Sequence, residues 1–134
     1  MIWDILLTKI TDAGLAVENE NLFLNTIPAE VNLAVMLKAP LTGVVIDPYL
    51  PGYYKPSIQA IVRHTDPVEG EAMASQLSRT LTIAGPEFYP ANGSRGAVKL
   101  SLFYPRTLPI MYPRQDGNSF EWSINFNTAF AVSN

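Results

Sequence analysis

The strongest constraint on the fold is a row of apolar residues at every second position near the C-terminal end of the sequence. Six of them alternate with polar or small residues over thirteen positions: Phe120, Trp122, Ile124, Phe126, Phe130 and Val132. Only Thr128 breaks the row, and period two indicates a strand with one buried face. Because strands usually have about five or six residues, we expect this one to bend midway or to extend beyond the domain as half of a long hairpin. Asp116-Gly117 just before it is a strong hairpin-turn signal.

Two segments have the pattern of amphipathic helices. At the N-terminal end, Ile2, Leu6 and Ile10 recur every fourth residue, and Gly14 is a suitable stop. The second helix is predicted from Asp66 to about Ile83. Asp66 is its cap, Pro67 takes the first helical position, Glu69 stands where a capping-box carboxylate belongs, and the buried stripe is Met73, Leu77 and Leu81.

Further strands are predicted by alternation and by β-branched residues. They are Leu22–Asn25, Val31–Lys38 with its odd-numbered residues on one face, Ser57–His64, and a strand whose Val98, Leu100, Leu102 and Tyr104 share one face. Pro105 and Pro109 interrupt the last of these, which implies an edge strand or a bulge. The sequence therefore predicts an α+β fold, with a mostly antiparallel sheet, an N-terminal helix and a second helix packed on it. We expect a single domain over residues 1–134.

The composition favours an assembly protein and excludes several other classes. Hydrophobic residues make up 48% of the chain and charged residues only 16%, below the usual quarter or so, so we expect an oligomer or a permanent partner. A net charge of −3 argues against free binding to nucleic acid. The absence of cysteine excludes disulfides and thiolate sites and suits a reducing cytoplasm. There is no signal-peptide pattern and no apolar run of about 20 residues, so we expect a soluble protein without a membrane contact.

The charge is unevenly distributed along the chain. Residues 1–50 carry six acids and two bases, whereas the segment from Phe88 to Gln115 has no acid and four bases: Arg95, Lys99, Arg106 and Arg114. This basic segment is either a solvated hairpin or a surface that meets an acidic neighbour.

A loop with three prolines, predicted from Leu41 to Pro56, leads into the Ser57–His64 strand. Its length is unusual for a compact fold, and its prolines let it hold a shape without a core of its own. Tyr53-Tyr54-Lys55 near its end have two interpretations. The tyrosine rings pack over the sheet edge with their hydroxyls in water, or they anchor an interface. Both hold if one ring points in and the other out.

No catalytic or cofactor-binding motif accompanies this loop. His64 is the only histidine, and Asp66 would share its face if the strand continued, but no nucleophile elbow is present. A histidine at a strand end beside a helix cap is the simpler interpretation. The acid pairs Glu69/Glu71 and Glu18/Glu20 fit solvated surfaces better than a metal site. We therefore expect no enzyme activity and no cofactor.

The order of these elements resembles the tail-terminator proteins of long-tailed bacteriophages, which are also described as minor capsid or tail-completion proteins. The resemblance rests on the N-terminal helix, a strand, and a loop with Asp47-Pro48 and then the run 51–55, Pro-Gly-Tyr-Tyr-Lys. A strand ending in Arg63, the capped helix from Asp66 and paired strands to the end follow. It covers most of the chain.

The resemblance implies a ring, in that family of six subunits, that caps the tail tube, ends its polymerisation and joins the tail to the head's connector. The implied partners are further copies of the chain, the tail-tube protein and the connector or stopper, with DNA only as cargo through the lumen. The implied location is the virion tail or neck, and the host cytoplasm during assembly. In such a ring we expect interface roles for Tyr53, Tyr54, Lys55, Arg63, Arg95, Arg106 and Arg114. The alternatives are a tail-tube or other neck subunit, and a small hydrolase using His64 and Asp66.

Overall fold

A computed structural model of the chain describes residues 2–28, 31–40, 42–113 and 119–133. Within these ranges the chain forms two helices, α1 (Trp3–Asp12) and α2 (Pro67–Leu81), and eight strands. The strands are β1 (Leu22–Leu24), β2 (Ala34–Lys38), β3 (Tyr53–Tyr54), β4 (Ser57–His64), β5 (Glu87–Tyr89), β6 (Ala97–Pro105), β7 (Ile110–Pro113) and β8 (Phe120–Ser133). All eight belong to one sheet, so the α+β prediction is confirmed. The predicted turn at Asp116-Gly117 lies outside the described residues.

The long strand β8 is the axis of the sheet. Its N-terminal half pairs with β4 on one edge and β7 on the other, and its C-terminal half pairs with β3 and β6. The main path across the sheet is β1-β2-β4-β8-β6-β5, and only the β1–β2 pair is parallel. The expectation that β8 extends beyond the domain as half of a free hairpin is therefore wrong, because neighbours flank it along its whole length.

The apolar row of β8 forms the centre of the core. Trp122, Ile124, Phe126 and Phe130 are buried, and α2 lies over them, with contacts to β4, β6 and β8, while α1 packs against α2. The polar break in the row has a structural reason. Thr128 is buried, and its hydroxyl donates a hydrogen bond of 2.7 Å to the carbonyl of Pro56, which lies between β3 and β4 on the edge where both strands pair with β8.

A β-bulge in β6 overturns the predicted face of that strand. Leu100 pairs with Phe130 and Leu102 with the adjacent Ala129, so an advance of two residues along β6 corresponds to one residue along β8. The extra residue reverses the alternation that follows it. As a result Leu102 and Tyr104, predicted to lie with Leu100 in the core, are 52% and 44% exposed. Phe103 is buried instead and stacks on Phe126 with 4.9 Å between ring centroids.

The strand β2 is shorter than predicted, and the segment before it leaves the sheet. Leu33 is half-exposed, whereas Ala34 and Met36 are buried along with Val35 and Leu37, so both faces of β2 are covered. The guanidinium of Arg63 accounts for the shortened strand, because it takes the carbonyls of Pro28 and Val31 as hydrogen-bond acceptors and holds this segment against the sheet. The short strands β3 and β5 have no counterpart among the predicted strands.

The start of α2 has one of the two predicted parts of a capping box, and a different group takes the place of the other. The carboxylate of Asp66 accepts hydrogen bonds from the amides of Val68 and Glu69. In a capping box the Glu69 carboxylate would accept a hydrogen bond from the Asp66 amide. Here Nδ1 of His64 accepts that hydrogen bond instead, at 2.9 Å. Glu69 lies beside the other imidazole nitrogen, at 3.6 Å. The helix ends at Leu81, two residues before the predicted end.

Two ion pairs tie α1 to the far edge of the sheet. Lys9 bonds Glu87 on β5 at 2.6 Å, and Arg95 bonds Asp4 at 2.9 Å. Burial alone would raise the pKa of Glu87, but the hydrogen bonds from Lys9 and Tyr89 outweigh it and lower that pKa below 4.5. Burial and the hydrogen bond to Glu87 raise the pKa of the Tyr89 hydroxyl to about 12.

This arrangement predicts loss of stability in acid. A carboxyl group whose pKa is lowered by folding stabilises the protein above its unfolded pKa and loses that contribution as the pH falls through its folded pKa. We expect Glu87→Gln to lose less stability than the parent between about pH 6 and pH 3, measured by urea unfolding. Glu71→Gln is the control, since Glu71 is exposed and has no ion pair among the described residues. Equal pH dependence of all three proteins would contradict the assignment.

A second prediction concerns the contact between α2 and β8 at Gly70. A Cβ at this position would collide with the six-membered ring of Trp122 and lie 2.9 Å from Cβ of His64. Gly70→Ala should therefore destabilise the protein by about 1–3 kcal/mol through overpacking, although alanine is the better helix former by about 1 kcal/mol. Gly85→Ala, where a Cβ meets nothing within 4 Å, is the control. A Gly70→Ala protein as stable in urea as the parent would refute this contact.

Candidate functional site

The proline-rich loop is shaped by two successive turns. The amide of Leu50 donates to the carbonyl of Asp47, and the amide of Tyr53 donates to the carbonyl of Leu50, each at 3.1 Å. The Asp47 carboxylate also accepts the Tyr49 amide at 2.9 Å. These bonds fix the loop although none of its side chains from Val45 to Leu50 is buried.

Gly52 fastens the end of this loop to β8. Its carbonyl accepts the Val132 amide at 2.7 Å, its φ is +79°, and a Cβ there would lie 2.5 Å from the Val132 carbonyl oxygen. Only glycine meets both requirements without strain. Tyr53 and Tyr54 then pair with Ala131 and Phe130 as β3.

The two tyrosines lie on opposite faces of the sheet. The Tyr54 ring packs on Phe130, with 5.6 Å between centroids, on the face that carries the core. Tyr53, its neighbour in the strand, therefore lies on the opposite face, where it lines a surface groove with Lys55 and Ser57. Both rings are half-buried and Lys55 is exposed. The arrangement with one ring in and one ring out, anticipated from the sequence, is the one observed.

The most exposed apolar side chains of the loop precede the tyrosines. Val45 is 82% exposed, Ile46 73%, Tyr49 90% and Leu50 50%. Asp47 is the only charged residue between positions 42 and 54. We call the five residues Val45, Ile46, Asp47, Tyr49 and Leu50 the loop tip.

A second exposed row lies on the sheet face opposite the helices. Leu102, Tyr104, Ile110 and Tyr112 pair in turn with Ala129, Asn127, Ser123 and Glu121 of β8, and the Arg106 amide bonds the Asn125 carbonyl between them. These partners are alternate residues of β8, so the five side chains follow one another along a single face. All are exposed. We call Leu102, Tyr104, Arg106, Ile110 and Tyr112 the face stripe.

The predicted basic interface residues divide into internal and exposed groups. Arg63 is buried and bonds Glu121 at 2.9 Å in addition to its two carbonyls. Arg95 bonds Asp4 and the carbonyls of Pro90 and Gly96, so it holds its own loop. Both guanidinium groups are thus used within the chain.

Of the remaining bases, Arg106 is exposed, and its side chain has no hydrogen-bond or ion-pair partner among the described residues. The Lys99 ammonium lies 5.8 Å from the centroid of the exposed Phe88 ring. Arg114 lies outside the described residues.

Burial and the Glu121 charge raise the pKa of the Tyr112 hydroxyl, so Tyr112 is neutral at physiological pH.

The groups proposed for a hydrolase are engaged in capping α2. The imidazole of His64 accepts the Asp66 amide, and the Asp66 carboxylate accepts two helix amides. No group of three or more potential metal ligands occurs within the described ranges. Among the described helices, none is long and apolar enough to cross a membrane.

The sequence-based prediction included the loop and Arg106 but did not single out the exposed apolar residues of the loop tip and the face stripe. The sequence does contain a signal for the loop tip. The consecutive apolar residues Val44-Val45-Ile46 lie in a proline-rich loop, outside any predicted helix or strand that could bury them. The stripe has no such signal, because the bulge that exposes Leu102 and Tyr104 depends on pairing with β8.

Together the fold and these surfaces define a small α+β protein with exposed apolar surfaces and with its candidate catalytic groups used in capping. The chain matches the family model of the bacteriophage tail terminator protein over residues 9–132, and it belongs to this family. The family places it among the structural proteins of the bacteriophage tail. The resemblance seen in the sequence is confirmed.

A solved structure shares the fold. It is a chain of the virion of a native gene transfer agent (GTA) particle, with a TM-score of 0.60, 12% sequence identity, and coverage of 96% of this chain and 92% of that one. A search of the curated proteins found no significant match.

The fixation of the loop by Gly52 can be tested against a matched glycine. Gly43 also has a positive φ, +82°, but a Cβ there meets nothing within 4 Å. Gly43→Ala should cost about 1–2 kcal/mol for the left-handed conformation alone. Gly52→Ala should cost at least about 1 kcal/mol more, and hydrogen exchange at the Val132 amide should accelerate. Equal unfolding free energies and unchanged exchange would show that Gly52 does not anchor the loop.

Proposed function

We propose that this protein forms a closed ring that caps the tail tube, ends its polymerisation and joins the tail to the head connector. The membership of the tail terminator family supports this proposal. Six copies is the number that the resemblance implies. The whole chain would act as one unit in the ring, since all its described strands belong to one sheet.

The observation that carries the proposal is the loop tip. Four large apolar side chains stand in water on a loop that is held by turns and by Gly52. Leaving such groups exposed forgoes the free energy of burying them, about 25 cal/mol per Å² of apolar area. A loop that is already ordered loses little entropy when it binds. These two properties favour a permanent contact with another subunit.

The other partners follow from the position of such a ring. One side would meet the tail-tube protein and the other the connector or stopper, and DNA would pass through the lumen. The exposed bases Lys55 and Lys99 are suited to acidic groups on these neighbours, where charge pairs mainly orient the contact. Assembly would take place in the host cytoplasm before the ring enters the virion.

The role is structural, with no reaction to perform. His64 and Asp66 stabilise the start of α2, which accounts for their proximity without catalysis. The family to which the chain belongs points in the same direction.

The proposal is tested by mass and by tail length. Purified parent protein should sediment as a discrete species of six times the chain's 14.8 kDa. In an infection, Tyr49→Asp should give folded protein and tails of uncontrolled length. Val68→Asp is the matched control, because Val68 is 76% exposed at the start of α2, where an acid is tolerated. An open tube of the purified protein would instead support a tail-tube subunit. Normal tails with Tyr49→Asp would contradict the role of the loop tip.

A further inference from the structure

We propose that the loop tip of one copy docks on the face stripe of the next copy, and that this contact repeats around the ring. The inference rests on the proposed ring and names the two surfaces that build it. Both surfaces belong to this chain, and the occupant of each is a second copy of it.

The two surfaces are complementary in composition. The loop tip has four apolar side chains around one acid, Asp47, and the face stripe has four around one base, Arg106. No other charge occurs between positions 42 and 54 and no acid between positions 88 and 113, and the next base, Lys55, lines one groove with Asp47 and another with Leu102 and Tyr104. Apolar groups on each side can therefore be buried while the two charges meet, whereas a contact of either surface with itself would oppose like charges.

Their positions suit a head-to-tail contact. The loop tip precedes β3, which pairs with one edge of β8 at Ala131, and Ile110 of the stripe pairs with the other edge at Ser123. Eight residues of β8 separate these points, about 26 Å at about 3.3 Å per residue. Ile110 and Tyr112 are therefore beyond the reach of a loop anchored at Gly52 in the same chain, whereas Leu102, at the near end of the stripe, pairs with Ala129, two residues from Ala131. Two different surfaces of one chain give a heterologous interface, the kind that closes into rings.

The absence of cysteine from the chain makes a clean cross-linking test possible. A protein with Tyr49→Cys and Ile110→Cys, treated with a short bis-maleimide, should give a ladder of covalent multimers up to the full ring. A protein with Tyr49→Cys and Val68→Cys is the control, since Val68 is exposed but lies on α2, away from the stripe. It should give monomers in denaturing gels.

A charge exchange provides the second arm. Arg106→Asp should raise the concentration needed for half-assembly at least about tenfold, because it places two acids together. Adding Asp47→Arg to that variant should recover most of the loss. Arg79→Asp, a reversal at an exposed base on α2, should leave assembly unchanged. Circular dichroism of each variant confirms that it is folded.

The outcomes separate this inference from the proposed function. A parent protein that forms a ring, together with no ladder from the Tyr49/Ile110 pair and no recovery in the exchanged variant, overturns the docking surfaces and leaves the ring intact. A parent protein that stays monomeric at all concentrations overturns both. A ladder that stops at the dimer also overturns the repeated contact.

Discussion

The pairing of β8 on both edges is the constraint on which the rest of the structure depends. Fourteen consecutive residues form this strand, and four other strands are placed directly by their hydrogen bonds to it. Its apolar face supplies the large buried side chains on which α2 rests, and Gly70 allows the helix backbone to approach Trp122. The same strand fixes both exposed surfaces. Val132 holds the base of the loop, and the residues from Glu121 to Ala129 set the register of the face stripe.

In this fold, the residues that stabilise the chain and the apolar residues that are exposed to solvent are different ones. Two ion pairs hold segments of the chain together, Arg63 with Glu121 and Lys9 with Glu87. The apolar groups that gain nothing inside the fold are concentrated in the loop tip and the face stripe. The exposed apolar residues can therefore vary without disturbing the core.

Much of the fold could be predicted because its signals are local. The period-two row fixes β8, the capping sequence from Asp66 fixes the start of α2, and β4 has the predicted bounds. The missed features depend on tertiary contacts. The bulge at β6 exposes Leu102, His64 replaces Glu69 in the cap, and Arg63 turns inward because Glu121 lies opposite it. The interface role of Tyr53, Tyr54 and Lys55 stays a prediction, and two of the predicted bases, Arg63 and Arg95, bond within the chain.

The most direct test of this account is a cryo-EM reconstruction of the assembled tail end at side-chain resolution. The account predicts a closed ring in which Tyr49 and Leu50 of each subunit are buried on the face stripe of the next, with Asp47 within ion-pair distance of Arg106. A reconstruction with the loop tip in solvent, and with no neighbouring chain in contact with it, would contradict the central claim.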